Sequence, residues 1–159
     1  MFGLRVAGRA SARMNGARVV PRRTGDTKST GNFGLAIFRT EDIVFNVRYS
    51  VHVTQRGKAA FPTLASVNVG RHGTNGAVQI KFPTNWQNKT DNSQPVRGTK
   101  IYKYVVAGEW RNASGITVAS GKTLEKEMRA ILKKPNAYYA LVTSPSHPNG
   151  AIRGQLYRS

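Results

Sequence analysis

The chain has 159 residues, 39% of them hydrophobic, so it is long enough to bury one core, and a single domain is the simplest expectation. It has no cysteine, which excludes disulfides, thiolate metal sites and cysteine nucleophiles. Its 25 lysines and arginines against 7 acidic residues give a net charge of +18, which predicts an anionic partner: nucleic acid, an acidic protein, a lipid surface or an anionic polysaccharide.

Residues 1–30 form a basic segment that is poor in apolar residues and has a single acid, Asp26. This composition predicts a flexible or extended arm, with one domain over residues 31–159 that folds without it. The arm holds no continuous apolar run, so we expect no secretory signal, and the spacing of Arg5, Arg9 and Arg13 would align them on one helical face. Its candidate anion-binding or partner-binding residues are Arg5, Arg9, Arg13, Arg18, Arg22, Arg23 and Lys28.

Three interpretations of the arm remain open. It could be a transit peptide, a nucleic-acid-binding arm, or a tail that ties the domain into an assembly. We favour the assembly tail, in which the arginine side chains pair with an acidic surface.

Alternating apolar and polar residues predict the first strands, over residues 33–38 and 43–53. Further strands are expected over 64–69 and 77–82, on either side of a glycine-rich turn at 70–76 that we interpret as structural. The predicted core faces inward from these strands and from the end of the chain; it comprises Phe33, Leu35, Ile37, Phe45, Val47, Tyr49, Val51, Val67, Val69, Val78, Ile80, Leu141, Ile152 and Leu156.

Residues 83–99 predict a long polar loop that contains Trp86, followed by short strands at 101–106, 108–111 and 116–118. Possible glycosylation triplets begin at Asn88 and Asn112. One amphipathic helix is expected over 124–134, capped by Thr123 and ended by Pro135. No apolar run reaches the roughly 18 residues of a membrane span.

The end of the chain predicts a hairpin, with a first strand at 138–143, a turn at 144–150 and a second strand at 151–157. Asn149-Gly150 can adopt positive φ in the turn, and Gly154 leaves room for close backbone approach. In the second strand, Ile152, Gly154 and Leu156 should face one side. Arg153, Gln155 and Tyr157 should face the other.

The same hairpin resembles the terminal signature of the CHRD domain, a repeat first described in chordin, and weaker matches extend over Val19–Val78. Where the family often has His-Ile-His, this chain has Val67-Asn68-Val69. The resemblance implies a β domain and chordin-type extracellular binding, and we interpret the signature as structural. Its residues are His147, Pro148, Asn149, Gly150, Ile152, Arg153, Gly154, Gln155 and Leu156.

The residue pattern predicts no catalytic site, no bound metal and no cofactor. His52, His72 and His147 lack metal-ligand spacing, and neither a phosphate-binding loop nor a nucleophile motif occurs. We therefore expect a protein that is not an enzyme.

We predict an all-β fold, an antiparallel β-sandwich or partly open barrel of Greek-key type, with one short helix near 124–134. The favoured function is structural: a small basic subunit that docks by its arm onto acidic subunits of a large assembly, such as a minor capsid protein in a virion shell. The alternatives are a secreted chordin-type binding domain and a nucleic-acid-binding protein without sequence preference. A virion is the favoured location, with an extracellular one as the alternative.

Overall fold

The computed structural model describes residues 5–39, 45–56, 62–88, 100–109, 116–118 and 123–159. Within them the chain forms strands, one α-helix (α1, Leu124–Lys133) and two short 3₁₀ helices (Gly16–Arg18 and Pro135–Ala137). The strands are β1 (Arg5–Asn15), β2 (Ser29–Arg39), β3 (Phe45–Arg56), β4 (Ala65–Val69), β5 (Val78–Lys81), β6 (Gln87–Asn88), β7 (Ile101–Glu109), β8 (Thr117–Val118), β9 (Tyr138–Ser144), β10 (His147–Gln155) and β11 (Tyr157–Arg158).

All of these strands belong to one antiparallel sheet, in the order β6-β7-β3-β2-β1-β10-β9-β4-β5-β8, with β11 paired to β1. The sheet curls into a half-barrel, and α1 is the only α-helix among the described residues. The prediction of an all-β antiparallel fold with one short helix is confirmed, in its partly open barrel form.

The first strand is the largest departure from the sequence prediction. β1 lies in the middle of the sheet, paired with β2 from Arg5↔Arg39 to Asn15↔Thr30 and with β10 and β11 on its other side. The buried side chains of Ala10, Ala12 and Met14 alternate with more exposed ones. The prediction of an arm outside the domain is therefore wrong for residues 5–30. Helical alignment of the arginines is wrong too, since the small residues of β1 pack as a strand.

The core lies on the concave side of the sheet, beneath α1. Phe82 packs against Phe33 and Tyr49, with ring centroids 5.5 and 4.8 Å apart. Val69 is 38% exposed, so its predicted core position is wrong, and Val78 and Leu141 are half-buried. The side chain of Phe45 lies outside the described residues. The remaining predicted core residues are buried: Phe33, Leu35, Ile37, Val47, Tyr49, Val51, Val67, Ile80, Ile152 and Leu156.

Helix α1 begins where the sequence predicts and ends one residue before the predicted boundary, with Lys134 as its C-cap. The Thr123 hydroxyl accepts a hydrogen bond from the Lys126 backbone N–H at 3.2 Å, which satisfies one of the free N–H groups of the first turn. At the other end, Arg158 donates to the carbonyl oxygens of Leu132 and Lys133, at 3.1 and 3.4 Å. The final strand therefore supports the C-terminus of the helix.

The described part of the segment between β5 and β7 contains the short strand β6. β6 pairs with β7 inside what we predicted as a loop, and Trp86 donates from Nε1 to the Thr63 carbonyl at 3.4 Å. The strands predicted at 101–106 and 108–111 are one strand, β7, as far as Glu109. Trp110 and Asn112 lie outside the described residues.

Candidate binding surface

The hairpin signature places Arg153 in the interior. The Arg153 side chain is buried, with its guanidinium carbon 3.5 Å from the centroid of the Tyr139 ring. It donates to Asn75 Oδ1 at 3.2 Å and to the Arg71 carbonyl at 2.9 Å. Burial lowers the pKa of Arg153, and the charge of Tyr139 partly opposes this shift. Arg153 lies on the side of β10 opposite to Ile152, as the alternation predicts, but it is buried there because the turn at 70–76 covers it.

Gln155 links three further backbone groups. Its Nε2 lies 2.7 Å from the Gly70 carbonyl oxygen and 2.8 Å from those of Asn136 and Tyr138. The Tyr139 hydroxyl accepts from the Gly76 N–H at 3.1 Å. These contacts are internal to the domain, and they hold the turn at 70–76 against β9 and β10.

The other signature residues shape the hairpin. His147 lies at its turn, with Nδ1 3.5 Å from Ser144 Oγ, while Gly150 has φ of +145°, which favours glycine. At Gly154, an added Cβ would clash with the backbone carbonyl of Arg13, so β10 approaches β1 closely there. Pro148 and Asn149 are exposed, and Ile152 and Leu156 are buried in the core.

The predicted basic residues of the first thirty positions reach the surface from fixed elements. Arg9 and Arg13 are exposed on the convex side of β1, and Arg18 is exposed on the 3₁₀ helix that follows. The spacing of four puts Arg9 and Arg13 on one face of a strand as well as of a helix. Between this helix and β2, the exposed basic side chains are those of Arg22, Arg23 and Lys28. The side chain of Arg5 lies outside the described residues.

The convex side of β1, β2, β3 and β7 carries further cations at matching positions. Arg13 of β1 pairs with Asn32 of β2, and Asn32 pairs with His52 of β3, so the three side chains lie side by side on the same face. We call this surface the cationic face; its exposed basic residues are Arg9, Arg13, Arg48, His52, Arg56 and Lys103. Arg48 and His52 occupy polar positions in the alternation that predicts this strand, but the strand register is needed to identify their neighbours.

Glu109 is the only acidic side chain described on this face. Glu109 Oε1 lies 2.8 Å from Arg48 Nε, and Arg48 also covers the Phe38 ring, 4.6 Å from its centroid. No described carboxylate pairs with Arg9 or Arg13. The face therefore keeps most of its positive charge available.

Shallow concavities open on the convex side, and two of them are lined by arginine residues. One, of about 320 Å³, lies over small residues such as Gly34 and Ser50, with Arg9 and Arg48 among its lining residues. The other, of about 400 Å³, is lined by Arg13, Arg18, Gln155 and Tyr157. Sequence reasoning identified the two arginines of the second concavity but not its contact with the end of the chain.

The described residues contain neither a metal-binding cluster nor a helix able to span a membrane. Among them, no group of three or more histidine or acidic side chains is arranged to hold a metal ion. His52 is on the cationic face, His72 in the exposed turn at 70–76 and His147 on the hairpin. No helix in the described ranges combines the length and apolar character needed to cross a membrane.

The family model of the CHRD domain matches residues 10–156, which is nearly the whole chain. The match begins within β1 and ends one residue after β10. No curated protein and no solved structure showed significant similarity to the chain.

Proposed function

Since the chain belongs to the CHRD domain family, we propose that it is a binding domain without enzymatic activity, whose cationic face holds an acidic protein partner. The observation that carries this proposal is the excess of exposed cations on one rigid surface. Arg9, Arg13, Arg56 and Lys103 have no described acidic partner there, and Glu109 offsets Arg48. A surface of one sign attracts and orients a partner of the opposite sign.

The acidic residues in the described ranges are already engaged. Asp26 accepts from the Lys28 backbone N–H and from the Ser29 hydroxyl, and Glu125 pairs with Arg129 at 2.8 Å. Glu127 is buried on the core side of α1. Within the described ranges, no acidic residue other than Glu109 therefore compensates the charge of the face, which supports an acidic partner.

The form of the face favours a protein over nucleic acid. Its centre has small residues such as Gly34, Ala36 and Ser50, which let the side chains of a protein partner approach the sheet closely. Proteins that bind single strands use exposed aromatic rings on which bases stack. On the described part of this face, the Phe38 ring is covered by Arg48, and Tyr157 beside Arg13 is a single exposed ring rather than the series on which successive bases stack.

Family membership favours the extracellular binding alternative over a virion shell. Docking through a free arm also loses its physical basis, because β1 is a central strand. We therefore place binding on the folded surface, where the strand register fixes the spacing of the cations.

Binding of a fluorescent glutamate-rich peptide, measured by anisotropy over a series of salt concentrations, tests this function. Replacing Arg9, Arg13 and Arg56 with serine should weaken binding by about tenfold or more, since each exposed charged contact is worth up to about 1 kcal/mol. Affinity should also fall as salt rises, because exposed charges are screened.

A control of equal charge replaces Lys81, Lys126 and Lys134, which are exposed away from the face, with serine. This variant should bind nearly as well as the unmodified chain. Equal loss in both variants would show that the peptide responds only to net charge. Tighter binding of a DNA strand of the same charge would assign the face to nucleic acid instead.

A further inference from the structure

The concavity between β1 and the end of the chain has a structure more specific than the charged surface around it. β1 pairs with β10 at Asn15↔Arg153 and with β11 at Ser11↔Tyr157. Between these pairs, Arg13 occupies the position opposite Gln155, and directly opposite residues in antiparallel strands project to the same side. Because β1 and β10 approach each other closely at Gly154, the side chains of Arg13 and Gln155 lie side by side on the sheet.

A local hydrogen bond brings Arg18 to the same concavity. Asn15 Oδ1 accepts from the Arg18 backbone N–H at 3.2 Å, and the Val19 N–H donates to the Gly16 carbonyl at 3.2 Å. The chain therefore turns sharply after β1, and Arg18 lines the concavity together with Arg13. Neither guanidinium has a carboxylate partner among the described residues.

Gln155 adds a fixed and incompletely satisfied group. Its Nε2 is held by three backbone carbonyls, so the amide cannot turn freely. Its Oε1 is buried and has no hydrogen-bond partner. Because this oxygen is buried, a ligand cannot reach it, and Gln155 contributes to the concavity through the fixed position of its side chain.

We propose that Arg13, Arg18, Gln155 and Tyr157 form a subsite that binds one acidic residue of an extended peptide segment. The two guanidinium groups bind its carboxylate, for which their planar donor geometry is suited. Gln155, whose side chain is held in place by three backbone carbonyls, forms the wall of the subsite against which the segment lies. The Tyr157 ring, 46% exposed, packs on the aliphatic part of the acidic side chain.

This inference rests on the proposed function, and it adds a defined site within a broad charged surface. A glutamine-rich peptide matches a glutamate-rich one in shape but lacks the charge. Only the glutamate-rich peptide should shift the NMR signals of the Arg13 and Arg18 Nε–H groups and of the Gln155 side-chain amide in the full chain.

Substitutions separate the subsite from the rest of the face. Arg13→Gln and Arg18→Gln should each weaken binding of the glutamate-rich peptide by about tenfold, and Arg18→Lys should recover only part of the loss. Arg22→Gln is the matched control, because Arg22 is exposed in the same turn but does not line the concavity. It should change affinity by less than about twofold.

Each outcome decides between the two proposals. If the peptide binds but Arg13→Gln and Arg18→Gln are no weaker than Arg22→Gln, the subsite is refuted and the broader function stands. If the unmodified chain does not bind the peptide at low salt, both proposals fail. If inorganic phosphate shifts the same signals at lower concentration than the peptide, the assignment to a carboxylate is wrong.

Discussion

Gly154→Ala is the smallest change that should disrupt the junction between β1 and β10. A Cβ at Gly154 clashes with the Arg13 carbonyl oxygen, and it lies 2.7 Å from the Arg13 carbonyl carbon and 3.2 Å from the Met14 Cα. Carbon atoms in favourable contact are roughly 3.5–4.0 Å apart. The strands therefore have to separate by roughly 1 Å, and no side-chain rotation can avoid this, because the obstructing atoms are all backbone.

The cost follows from this forced separation. Overpacking a close-packed site costs about 1–3 kcal/mol, and each strand hydrogen bond that is weakened adds about 1 kcal/mol. We expect Gly154→Ala to lower the free energy of unfolding by about 2–4 kcal/mol. That is a large part of the ~5–15 kcal/mol that stabilises a typical domain.

Urea unfolding followed by circular dichroism measures this change. Gly34→Ala is a suitable control, because Gly34 is also within a strand and an added Cβ there meets only Ser50 Oγ, at 3.3 Å. The Ser50 hydroxyl can rotate, so the control should change the free energy of unfolding by less than about 1 kcal/mol. If Gly154→Ala lost no more stability than Gly34→Ala, the proposed close packing of β1 and β10 would be wrong.

Two further predictions concern stability. Deleting residues 1–15 removes a central strand and the buried Met14, so the truncated chain should lose its cooperative thermal transition; a truncated chain that melts like the intact one would contradict the assignment of β1 to the core. Burial raises the pKa of Tyr49 and Tyr104 above the ordinary value of 10.0, with the charge of Tyr102 as a second cause for Tyr104. The contribution of these tyrosines to the free energy of unfolding is therefore fully present below about pH 10 and is lost as the pH rises through their folded-state pKa values. In urea unfolding measured at several pH values above about 10, Tyr49→Phe should lose less stability with rising pH than the unmodified chain. If the free energy of unfolding fell equally steeply with pH in both, burial of Tyr49 would not be the cause.

Local patterns were enough to predict much of the fold. The strict alternation around Val47, Tyr49 and Val51 identified the centre of β3, and capping and charge identified α1. In the hairpin, Gly150 has the positive φ that was expected, but Asn149 and Gly150 lie within β10, at its register shift, and the turn itself is confined to residues 145–146. Each of these signals lies within a few residues of the structure that it specifies.

The missed features depend on distant contacts. β1 alternates arginine and serine with small residues such as Ala10 and Ala12, a pattern with little hydrophobic signal of its own. Its burial comes from β2 and from the strands near the end of the chain. Arg153 follows the polar alternation of β10, but the turn at 70–76 folds over it and provides its hydrogen bonds.

The candidate site was only partly predicted, because it too depends on contacts between residues that are distant in sequence. The basic composition indicated Arg9, Arg13 and Arg18 as contacts for an anionic partner, although it placed them on a free arm. Gln155 and Tyr157 complete the concavity only because β10 and β11 return beside β1. A sequence pattern can identify charged residues, but their arrangement on a surface depends on strand pairing.

The position of β1 also sets the order in which the domain can be completed during synthesis. β1 leaves the ribosome before the other described strands, yet its neighbours on one side are β10 and β11, which leave after all the others. The sheet therefore cannot close around Ser11 until Tyr157 is available, and contacts so distant in sequence form slowly. In the meantime one edge of β1 is unpaired, and Arg9 and Arg13 keep that edge charged, which discourages pairing with other nascent chains.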